Sequence, residues 1–416
     1  MDKTLGVYLH IPFCAGRCAY CDFYTCAGRD NLIPAYQKAL LRHIGESRTQ
    51  LREYLTDTVY FGGGTPTYYG ADRLIMLFDA IKDTARVLRD AEVTAEVNPG
   101  TVTFEQLRRM RRNGFNRLSI GVQSANDGIL RSQGRKHTFA QAVETLRQAR
   151  LAGFENVSCD LIYGLPSQTR DDWADTIMKV AALKPDHVSC YGLKIAPGTP
   201  LWPYRQAPEL PDGDAQADMY LYAVEALGRY GYRQYEISNF ALRDRESRHN
   251  LKYWTGGEYL GLGAAAHSYL GGRRYSNVVD VKKYITAMEQ GLPVVDYEEQ
   301  VGPYERGTEY LMLGLRTVRG ISEKEYREIY PCSFELIRIQ LEEFRAHGWV
   351  VESGGRWRFT PQGFLISNVL IGDVLDAQNR QREKDGTPWQ QGAGAREMQY
   401  SMFRRRTETV PAFRGM

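Results

Sequence analysis

Short apolar runs alternate with longer stretches of helical periodicity in the first half of the chain. The runs are Leu5–His10, Thr58–Phe61, Glu92–Val97, Arg117–Val122, Asn156–Ile162 and His187–Leu193. The helical stretches between them include Ala71–Arg86, Thr103–Asn113, Thr138–Leu151 and Asp171–Leu183, and another covers about Asp214–Tyr230. Strands that alternate with helices predict parallel strands joined by right-handed crossovers. Six such units predict an α/β barrel, complete or partial, over residues 1–235.

The pattern changes after residue 235. Residues 236–300 are rich in Gly, Tyr and Asn, and we expect them to form a closing segment against the barrel mouth. Residues 301–376 are helical again and end in a predicted hairpin with Gly354 and Gly355 at its tip. Amphipathic helices followed by a hairpin predict a small winged-helix-like domain. Residues 377–416 show little periodicity, and we expect a disordered tail.

Length and charge narrow the class of protein. A chain of 416 residues is too long for one ordinary core, and 43% hydrophobic with 25% charged residues is typical of a globular protein. The net charge of +3 belongs to the tail, which holds eight Lys or Arg against four Asp or Glu. The rest is nearly neutral, so we expect no nucleic-acid partner. The sequence has no signal pattern and no apolar run of membrane length, which predicts a cytoplasmic protein.

Three of the seven cysteines crowd into eight residues directly after the first predicted strand. Cys14, Cys18 and Cys21 have the spacing C-x3-C-x2-C, which indicates metal or redox chemistry rather than a disulfide framework. Three thiolates hold three corners of an iron–sulfur cubane and leave the fourth iron open to a small molecule such as S-adenosylmethionine (SAM). The alternative is a structural zinc site, which needs a fourth ligand that Cys26 could supply.

A set of ordered motifs carries a family resemblance. VYLHIPFCAGRCAYCDFY, FGGGTPT, EVNPGT, RLSIGVQS, GRKHT and DLIYGLPSQT follow one another as in the radical SAM coproporphyrinogen oxidase-like family. The likeness covers about residues 1–375, including the C-terminal segment, and is greatest to the haem chaperone branch. It implies a partial parallel (β/α)6 radical SAM barrel with a small C-terminal helical domain. It also implies one [4Fe–4S] cluster on the three cysteines and exchangeable SAM.

The resemblance also implies a set of SAM-binding residues. They are Tyr8, Gly63, Gly64, Thr65, Glu96, Gln123, Arg135 and Asp160. Most of them end or follow a predicted strand, where parallel barrels build their active sites. Glycine permits close backbone approach, carboxylates accept hydrogen bonds from hydroxyl or amino groups, and an arginine fork pairs with a carboxylate. The alternatives are a tight turn at the glycines, a packed strand aromatic at Tyr8 and a surface charge at Arg135.

Two features separate a haem carrier from an oxidase. Family members that decarboxylate coproporphyrinogen have a fourth cysteine two residues after the third, where this chain has Phe23. Residues 249–254 match the HNxxYW motif of the haem chaperone branch, which implies that His249 helps to hold haem, because neutral imidazole is a good axial ligand. The alternative is that this loop packs its aromatic residues under the barrel rim, with His249 hydrogen-bonded to backbone.

Three hypotheses of function follow. The first is a radical SAM family haem chaperone that binds haem, or another tetrapyrrole, and passes it to an acceptor protein that the sequence does not identify. The second is an oxygen-independent coproporphyrinogen III oxidase, so whether the chain is catalytic stays open. The third is a nucleic-acid binder, suggested by the winged-helix-like end and Arg404–Arg406. That run is short and mixed with acidic residues, which favours a solvated segment.

Overall fold

The computed structural model describes residues 3–385. Its strands are, in chain order, β1 (Thr4–Ile11), β2 (Phe13–Cys14), β3 (Cys26–Ala27), β4 (Leu55–Gly63), β5 (Arg86–Val97), β6 (Arg117–Gln123), β7 (Asn156–Tyr163), β8 (His187–Gly192), β9 (Arg233–Gln234), β10 (Asn239–Ala241), β11 (Tyr259–Leu262), β12 (His267–Leu270), β13 (Arg273–Asn277), β14 (Val295–Gln300), β15 (Val350–Ser353) and β16 (Arg356–Phe359).

The α-helices of the same residues follow the predicted alternation in the first half. They are α1 (Ile33–Glu46), α2 (Arg48–Arg52), α3 (Pro66–Tyr69), α4 (Ala71–Thr84), α5 (Phe104–Arg112), α6 (Asp127–Ser132), α7 (Phe139–Leu151), α8 (Arg170–Ala182), α9 (Gly213–Arg229), α10 (Arg248–Thr255), α11 (Val281–Gln290), α12 (Pro303–Gly314), α13 (Glu323–Ile329), α14 (Glu335–Ala346), α15 (Pro361–Leu365) and α16 (Ser367–Lys384). No described helix is both long and apolar enough to cross a membrane.

Six parallel strands form the centre of the main sheet, in the order β1-β4-β5-β6-β7-β8. The order of the whole sheet is linear, with β14 at one edge and β9 at the other, so the barrel is partial. This confirms the predicted α/β fold with parallel strands. Because the carboxyl ends of parallel strands meet at one edge, the segments that follow β1, β4, β5, β6 and β7 gather at one mouth.

Alternation along the strands separates the packed face from the cavity face. On β7, Val157, Cys159 and Leu161 are fully buried in the core that packs against the helices. Ser158 and Asp160 lie between them and face the opposite side, because successive side chains of a strand point to opposite faces. The cysteine on this strand is therefore a small apolar core residue. The inward positions are polar, which prepares the barrel interior for a polar ligand.

The motif threonines begin the helices behind the sheet. Thr103, Thr138 and Thr169 are the N-caps of α5, α7 and α8, and each accepts a hydrogen bond from the backbone N–H three residues later. In each case the side-chain oxygen of the residue three positions on, Gln or Asp, accepts a hydrogen bond from the N-cap backbone N–H. Such capping boxes satisfy two backbone donors that a helix otherwise leaves free. Thr138 of GRKHT, Thr169 of LPSQT and Thr103, two residues after EVNPGT, thus fix where the crossover helices begin.

The expectation that residues 236–300 close the mouth is wrong for most of this segment. β11 pairs in parallel with β1, and β12, β13 and β14 continue the sheet antiparallel from there. β9 and β10 extend the other edge beside β8. The segment therefore widens the sheet at both sides, because the outer strands of the barrel carry backbone groups that need partners. Two helices of the segment lie outside the sheet: α10 packs at the amino-terminal end of the barrel, opposite the mouth, and α11 packs against α1.

The C-terminal unit contains the predicted helices and hairpin. Its own core includes Leu311, Ile337, Leu341 and Val374, and β15 pairs with β16 across Gly354 and Gly355, both with positive φ. The disordered tail was predicted to begin at residue 377, but α16 continues to Lys384. The helix continues because Ala377 and the residues around it are buried against α12 and α14. The remainder of the expected tail, residues 386–416, lies outside the described residues.

Candidate functional site

The cysteine loop lies at the carboxyl end of β1. Cys14 is buried on β2, whereas Cys18 and Cys21 are partly exposed. Backbone bonds fix the loop: Ala19 N–H donates to the carbonyl of Gln133, and Leu201 N–H donates to that of Ala19. Burial raises the pKa of the Cys14 thiol to about 11, so ligand binding has to displace its proton.

The loop after β4 packs directly on the cysteine loop. Gly64 and Thr65 donate backbone hydrogen bonds to the carbonyls of Ile11 and Phe13 over 2.7 and 2.8 Å. A Cβ on Gly64 would lie 2.7 Å from the Phe13 oxygen, and one on Gly63 would lie 2.5 Å from the ring of His10. Gly63 also has φ +115°, which side chains rarely adopt. Both glycines are therefore required because neighbouring groups, the Phe13 carbonyl and the His10 ring, approach the backbone closely, and not only because the chain turns here.

Glu96 ends β5 beside these glycines. Its two oxygens accept hydrogen bonds from the Tyr60 hydroxyl over 3.0 Å and from the Gly63 N–H over 3.1 Å. Burial raises the pKa of Glu96 to about 7, with a further contribution from the charge of Asp160. A carboxyl group near half ionisation at neutral pH, opening into a cavity, is typical of a binding site.

Asp160 is held by a ring of hydroxyl groups. It accepts hydrogen bonds from Ser119, Ser158 and Ser189 at 2.8 to 3.1 Å. Burial raises the pKa of Asp160, and the serine bonds act in the opposite direction by favouring the carboxylate. The four side chains come from three adjacent strands, β6, β7 and β8. They fix the carboxylate in the barrel interior.

Gln123 and Arg135 complete the wall on the β6 side. Gln123 has φ +66°, and a non-glycine residue in the left-handed region stores strain that is most common at functional sites. Arg135 Nη2 donates to Asn98 Oδ1 over 2.8 Å and to the Gly121 carbonyl over 2.7 Å. Its Nε is buried and has no partner among the described groups. This leaves a cationic donor for a ligand.

One cavity of about 320 Å³ joins most of the predicted residues. Its lining includes Cys14, Cys18, Cys21, Gly63, Gly64, Thr65, Glu96, Gln123, Arg135 and Asp160. Tyr8 lies one step away: its hydroxyl donates to His10 Nδ1 over 3.0 Å, and its ring stacks on Tyr60, which does line the cavity. The fold thus gathers ten of the twelve predicted residues around one space.

His249 lies at the opposite end of the barrel interior. Its Nδ1 is 2.8 Å from the Thr58 hydroxyl and its Nε2 is 2.8 Å from that of Tyr253. Thr58 is five residues before Gly63 on β4, about 16 Å along a strand. The ring is 1% exposed and stacks on Tyr60, and burial lowers the pKa of His249 to about 3. The imidazole is therefore neutral, with both nitrogens engaged by side chains rather than by backbone.

The donor set fits a cluster with SAM better than a zinc ion. Within residues 3–385, no three His, Cys, Asp or Glu side chains converge as ligands of a single metal ion. Cys26 pairs with Phe13 through the β2–β3 ladder, and its thiol lies 3.7 Å from the Tyr24 hydroxyl, away from the cavity. Three soft thiolates on one loop, each free to bind its own iron, suit a cubane. The unpartnered Arg135 Nε and the close glycines suit a carboxylate-bearing ligand beside it.

Several residues of the site were not singled out from the sequence. Among them are Tyr60, Asn98, Arg117 and Asn250, and all four line the cavity. Asn98 and Arg117 lie within motifs that were recognised, EVNPGT and RLSIGVQS, and Arg117 is 2% exposed with two guanidinium nitrogens unpartnered. The available signal was strand alternation, because Arg117 and Ser119 are polar positions between apolar ones on β6. Asn250 comes from α10, and only the tertiary fold reveals its position.

Comparisons with known proteins agree with this arrangement. Residues 8–180 match the Radical SAM superfamily, and residues 288–366 match the HemN C-terminal domain. The solved structure of coproporphyrinogen III oxidase HemN from Escherichia coli, a radical SAM enzyme, has a TM-score of 0.79, with 24% identity and 90% of each chain covered. At that identity the likeness establishes the fold alone.

Curated relatives match along almost their whole length. Heme chaperone HemW of Bacillus subtilis is 36% identical over 89% of this chain and 99% of its own. Heme chaperone HemW of Escherichia coli is 32% identical over 88% and 97%. The mouse protein named radical S-adenosyl methionine domain-containing protein 1, mitochondrial, is 34% identical over 89% and 87%. The chain belongs to the HemW family of radical SAM proteins.

Proposed function

We propose that this chain is a cytoplasmic haem chaperone that binds haem and hands it to an acceptor protein, while carrying a [4Fe–4S] cluster with exchangeable SAM. The observation that carries the proposal is the single cavity that joins the three cysteines to the glycine loop, Glu96 and Arg135. The name heme chaperone HemW, given to relatives that match 88–89% of this chain, supports the haem part.

Each element of the cavity has a defined task in this proposal. When bound, the cluster and SAM would supply one-electron chemistry. Cys14, Cys18 and Cys21 would hold the cluster, and Arg135 would offer its unpartnered Nε to the carboxylate of SAM. The serine hydroxyls around Asp160 would keep the Asp160 carboxylate in place to accept hydrogen bonds from SAM, and Gly63 and Gly64 would let the backbone approach the ligand. Glu96 accepts hydrogen bonds from donors on the bound molecule.

The size and rim of the cavity favour a haem carrier over an enzyme that encloses a tetrapyrrole in this cavity. A volume of about 320 Å³ is at the lower end of small-ligand pockets, which span roughly 300–1,000 Å³, so a tetrapyrrole does not fit behind the mouth of this cavity. Phe23, 66% exposed, stands at that mouth where oxidase-type relatives have a fourth cysteine. The mouth therefore lacks the fourth thiol of oxidase-type relatives, whereas the motif of the haem chaperone branch lies on α10 at the other end of the barrel.

The alternative is an oxygen-independent coproporphyrinogen III oxidase, which the complete set of SAM residues favours. Anaerobic turnover separates the two functions. The reconstituted protein is supplied with reductant, SAM and coproporphyrinogen III, and products are followed by mass spectrometry. A haemin titration runs on the same sample. We expect saturable haem binding without decarboxylated product. Product that disappears in Cys14→Ala would instead establish the oxidase.

We further propose His249 as the axial ligand of the bound haem, on the condition that α10 withdraws. In the described conformation both ring nitrogens are hydrogen-bonded, and the N–H groups of Arg248 and His249 donate to Glu92 over 3.0 Å. Binding through Nε2 therefore requires release from Tyr253. We therefore expect haem to associate slowly, because α10 has to move away before His249 can bind the iron.

Two variants test the ligand. In His249→Ala we expect the Soret band of the haem complex to change and affinity to fall at least tenfold. In Tyr253→Phe, which frees Nε2 and preserves the ring, we expect haem to associate faster than in the wild type. His347→Ala, in the C-terminal unit, is the control. An unchanged Soret spectrum and affinity in His249→Ala would remove this residue as a ligand while leaving the chaperone proposal to the titration above.

A further inference from the structure

A chain of side chains connects two of the three cluster cysteines across the cavity wall. The Thr65 hydroxyl lies 3.2 Å from Cys14 Sγ, and Asn98 Nδ2 donates to that hydroxyl over 2.7 Å. Asn98 Oδ1 accepts from Arg135 Nη2 over 2.8 Å. Arg135 Nη1 lies 3.8 Å from Cys18 Sγ. Asn98 thus lies in the middle of a chain that runs from Cys14 through Thr65, and on through Arg135 to Cys18.

The chemistry of arginine sets the direction of every hydrogen bond in this chain. A guanidinium only donates, so the Asn98 amide must turn its oxygen towards Arg135 and its NH2 group towards Thr65. The Thr65 oxygen then accepts from Asn98, and its single proton is left for Cys14. A thiolate bound to iron has no proton and only accepts. The Thr65 hydroxyl therefore donates to Cys14 whenever the thiolate holds a cluster.

We propose that Asn98 is a positioning residue that orients the Thr65 hydroxyl towards the Cys14 thiolate and thereby raises the reduction potential of the cluster. Hydrogen bonds to cluster sulfur atoms stabilise the more negative, reduced state and are one determinant of its potential. Chains of aligned hydrogen bonds polarise one another, so the positive charge of Arg135 strengthens the final bond. Thr65 is 2% exposed, so little water competes with it.

The same residue also fixes Arg135. The guanidinium has two acceptors, Asn98 Oδ1 and the Gly121 carbonyl, which hold it beside Cys18 and direct its free Nε. Loss of the Asn98 oxygen removes one of these two bonds. The inference therefore separates two effects: cluster potential follows the Thr65 hydroxyl, and SAM affinity follows the position of Arg135. The inference rests on the proposed cluster and adds Asn98, to which sequence reasoning gave no role.

The test measures the midpoint potential of the anaerobically reconstituted protein by electron paramagnetic resonance, and SAM affinity by equilibrium binding. Thr65→Val keeps the shape and removes the hydroxyl, so we expect a more negative potential; Thr65→Ser restores the donor and the wild-type potential. Asn98→Asp only accepts, so it draws the Thr65 proton away from Cys14, and we also expect a more negative potential. Asn98→Ala removes the bond that orients the Thr65 hydroxyl, so we expect a potential between those of the wild type and Thr65→Val, with SAM affinity lowered severalfold; a wild-type potential in Asn98→Ala would overturn the role of Asn98.

The double variant distinguishes hydrogen bonding from added charge. If Asn98→Asp acts through the Thr65 proton, it lowers the potential less in the Thr65→Val background than in the wild type. Equal potentials in wild type, Thr65→Val and Thr65→Ser, with intact cluster spectra, would overturn the inference. Absence of the cluster spectrum in the wild type would instead overturn the proposed cofactor. Should Asn98→Asp fail to take up a cluster, the Thr65→Val and Thr65→Ser pair still decides.

Discussion

Glu96 is a single residue whose ionisation links the cavity to stability. Burial raises the pKa of its carboxyl group from 4.5 to about 7 in the folded chain. Its contribution to the free energy of unfolding is therefore fully present below pH 4.5 and is lost as the pH rises to about 7. At about 1.4 kcal/mol per unit, the loss has an upper bound of about 3 kcal/mol.

Glu96→Gln keeps the shape and removes this ionisation. In urea unfolding without added SAM, we expect the variant to match the wild type near pH 4.5 and to exceed it by up to about 3 kcal/mol at pH 8. Glu105→Gln, an exposed carboxylate on α5, is the control and should stay within about 0.5 kcal/mol at both pH values. A pH-independent difference between Glu96→Gln and wild type would mean that Glu96 is ionised normally.

At the residue scale, the sequence predicted which residues form the site better than it predicted the hydrogen bonds between them. The spacing of Cys14, Cys18 and Cys21 and the motif order were enough to predict ten residues that share one cavity. Local sequence does not contain the bond from Asn98 to Arg135, because these residues are 37 positions apart and meet only when β5 and β6 pair. The same holds for His249, whose partner Thr58 is 191 positions away.

At the scale of elements, α10 is a plug in the amino-terminal end of the barrel. Lys252 forms an ion pair with Asp57 over 2.9 Å, and the two side chains are only 9% and 15% exposed. Removing one member of a buried pair leaves an uncompensated charge, which costs about 3 kcal/mol or more. The pair therefore anchors the helix that carries His249 and Asn250.

Lys252→Met should loosen this plug selectively. We expect the free energy of unfolding to fall by about 3 kcal/mol and hydrogen exchange to accelerate in α10, with little change in the cysteine loop. Lys252→Met combined with Asp57→Asn should recover much of the loss. Lys179→Met, which breaks an exposed pair with Asp175, should cost under about 1 kcal/mol. Equal exchange rates in α10 of Lys252→Met and wild type would refute the anchoring role.

Sequence periodicity predicted the order of strands and helices well. It did not predict which strands pair at the edges of the sheet. Alternating strands and helices give the parallel centre directly, because each crossover helix needs a neighbouring parallel strand. Short strands such as β10 and β11 have too few residues for a visible period, and their partners are set by free edges on β8 and β1. The segment 236–300 was therefore placed over the mouth instead of along the edges.

At the scale of the whole molecule, the barrel and the C-terminal unit share a core. Tyr220 of α9 is buried in the same apolar cluster as Leu341 of α14. Backbone bonds also cross between the two: Ile237 N–H donates to the Arg316 carbonyl over 2.9 Å, and Val318 N–H donates to that of Tyr235 over 3.0 Å. Joint burial and paired backbone predict that the units unfold together.

Leu341→Ala tests this coupling from the far side of the shared core. The side chain is fully buried, so its truncation should cost about 3 kcal/mol. If the units are one cooperative structure, hydrogen exchange and thermal unfolding should be destabilised equally in barrel peptides such as β7 and in α14, because global opening is the common route to exchange. Ile339→Ala on the exposed face of α14 should leave both unchanged. Two separated transitions, with the barrel at its wild-type midpoint, would show that the C-terminal unit is an independent module whose loss leaves the cluster cavity intact.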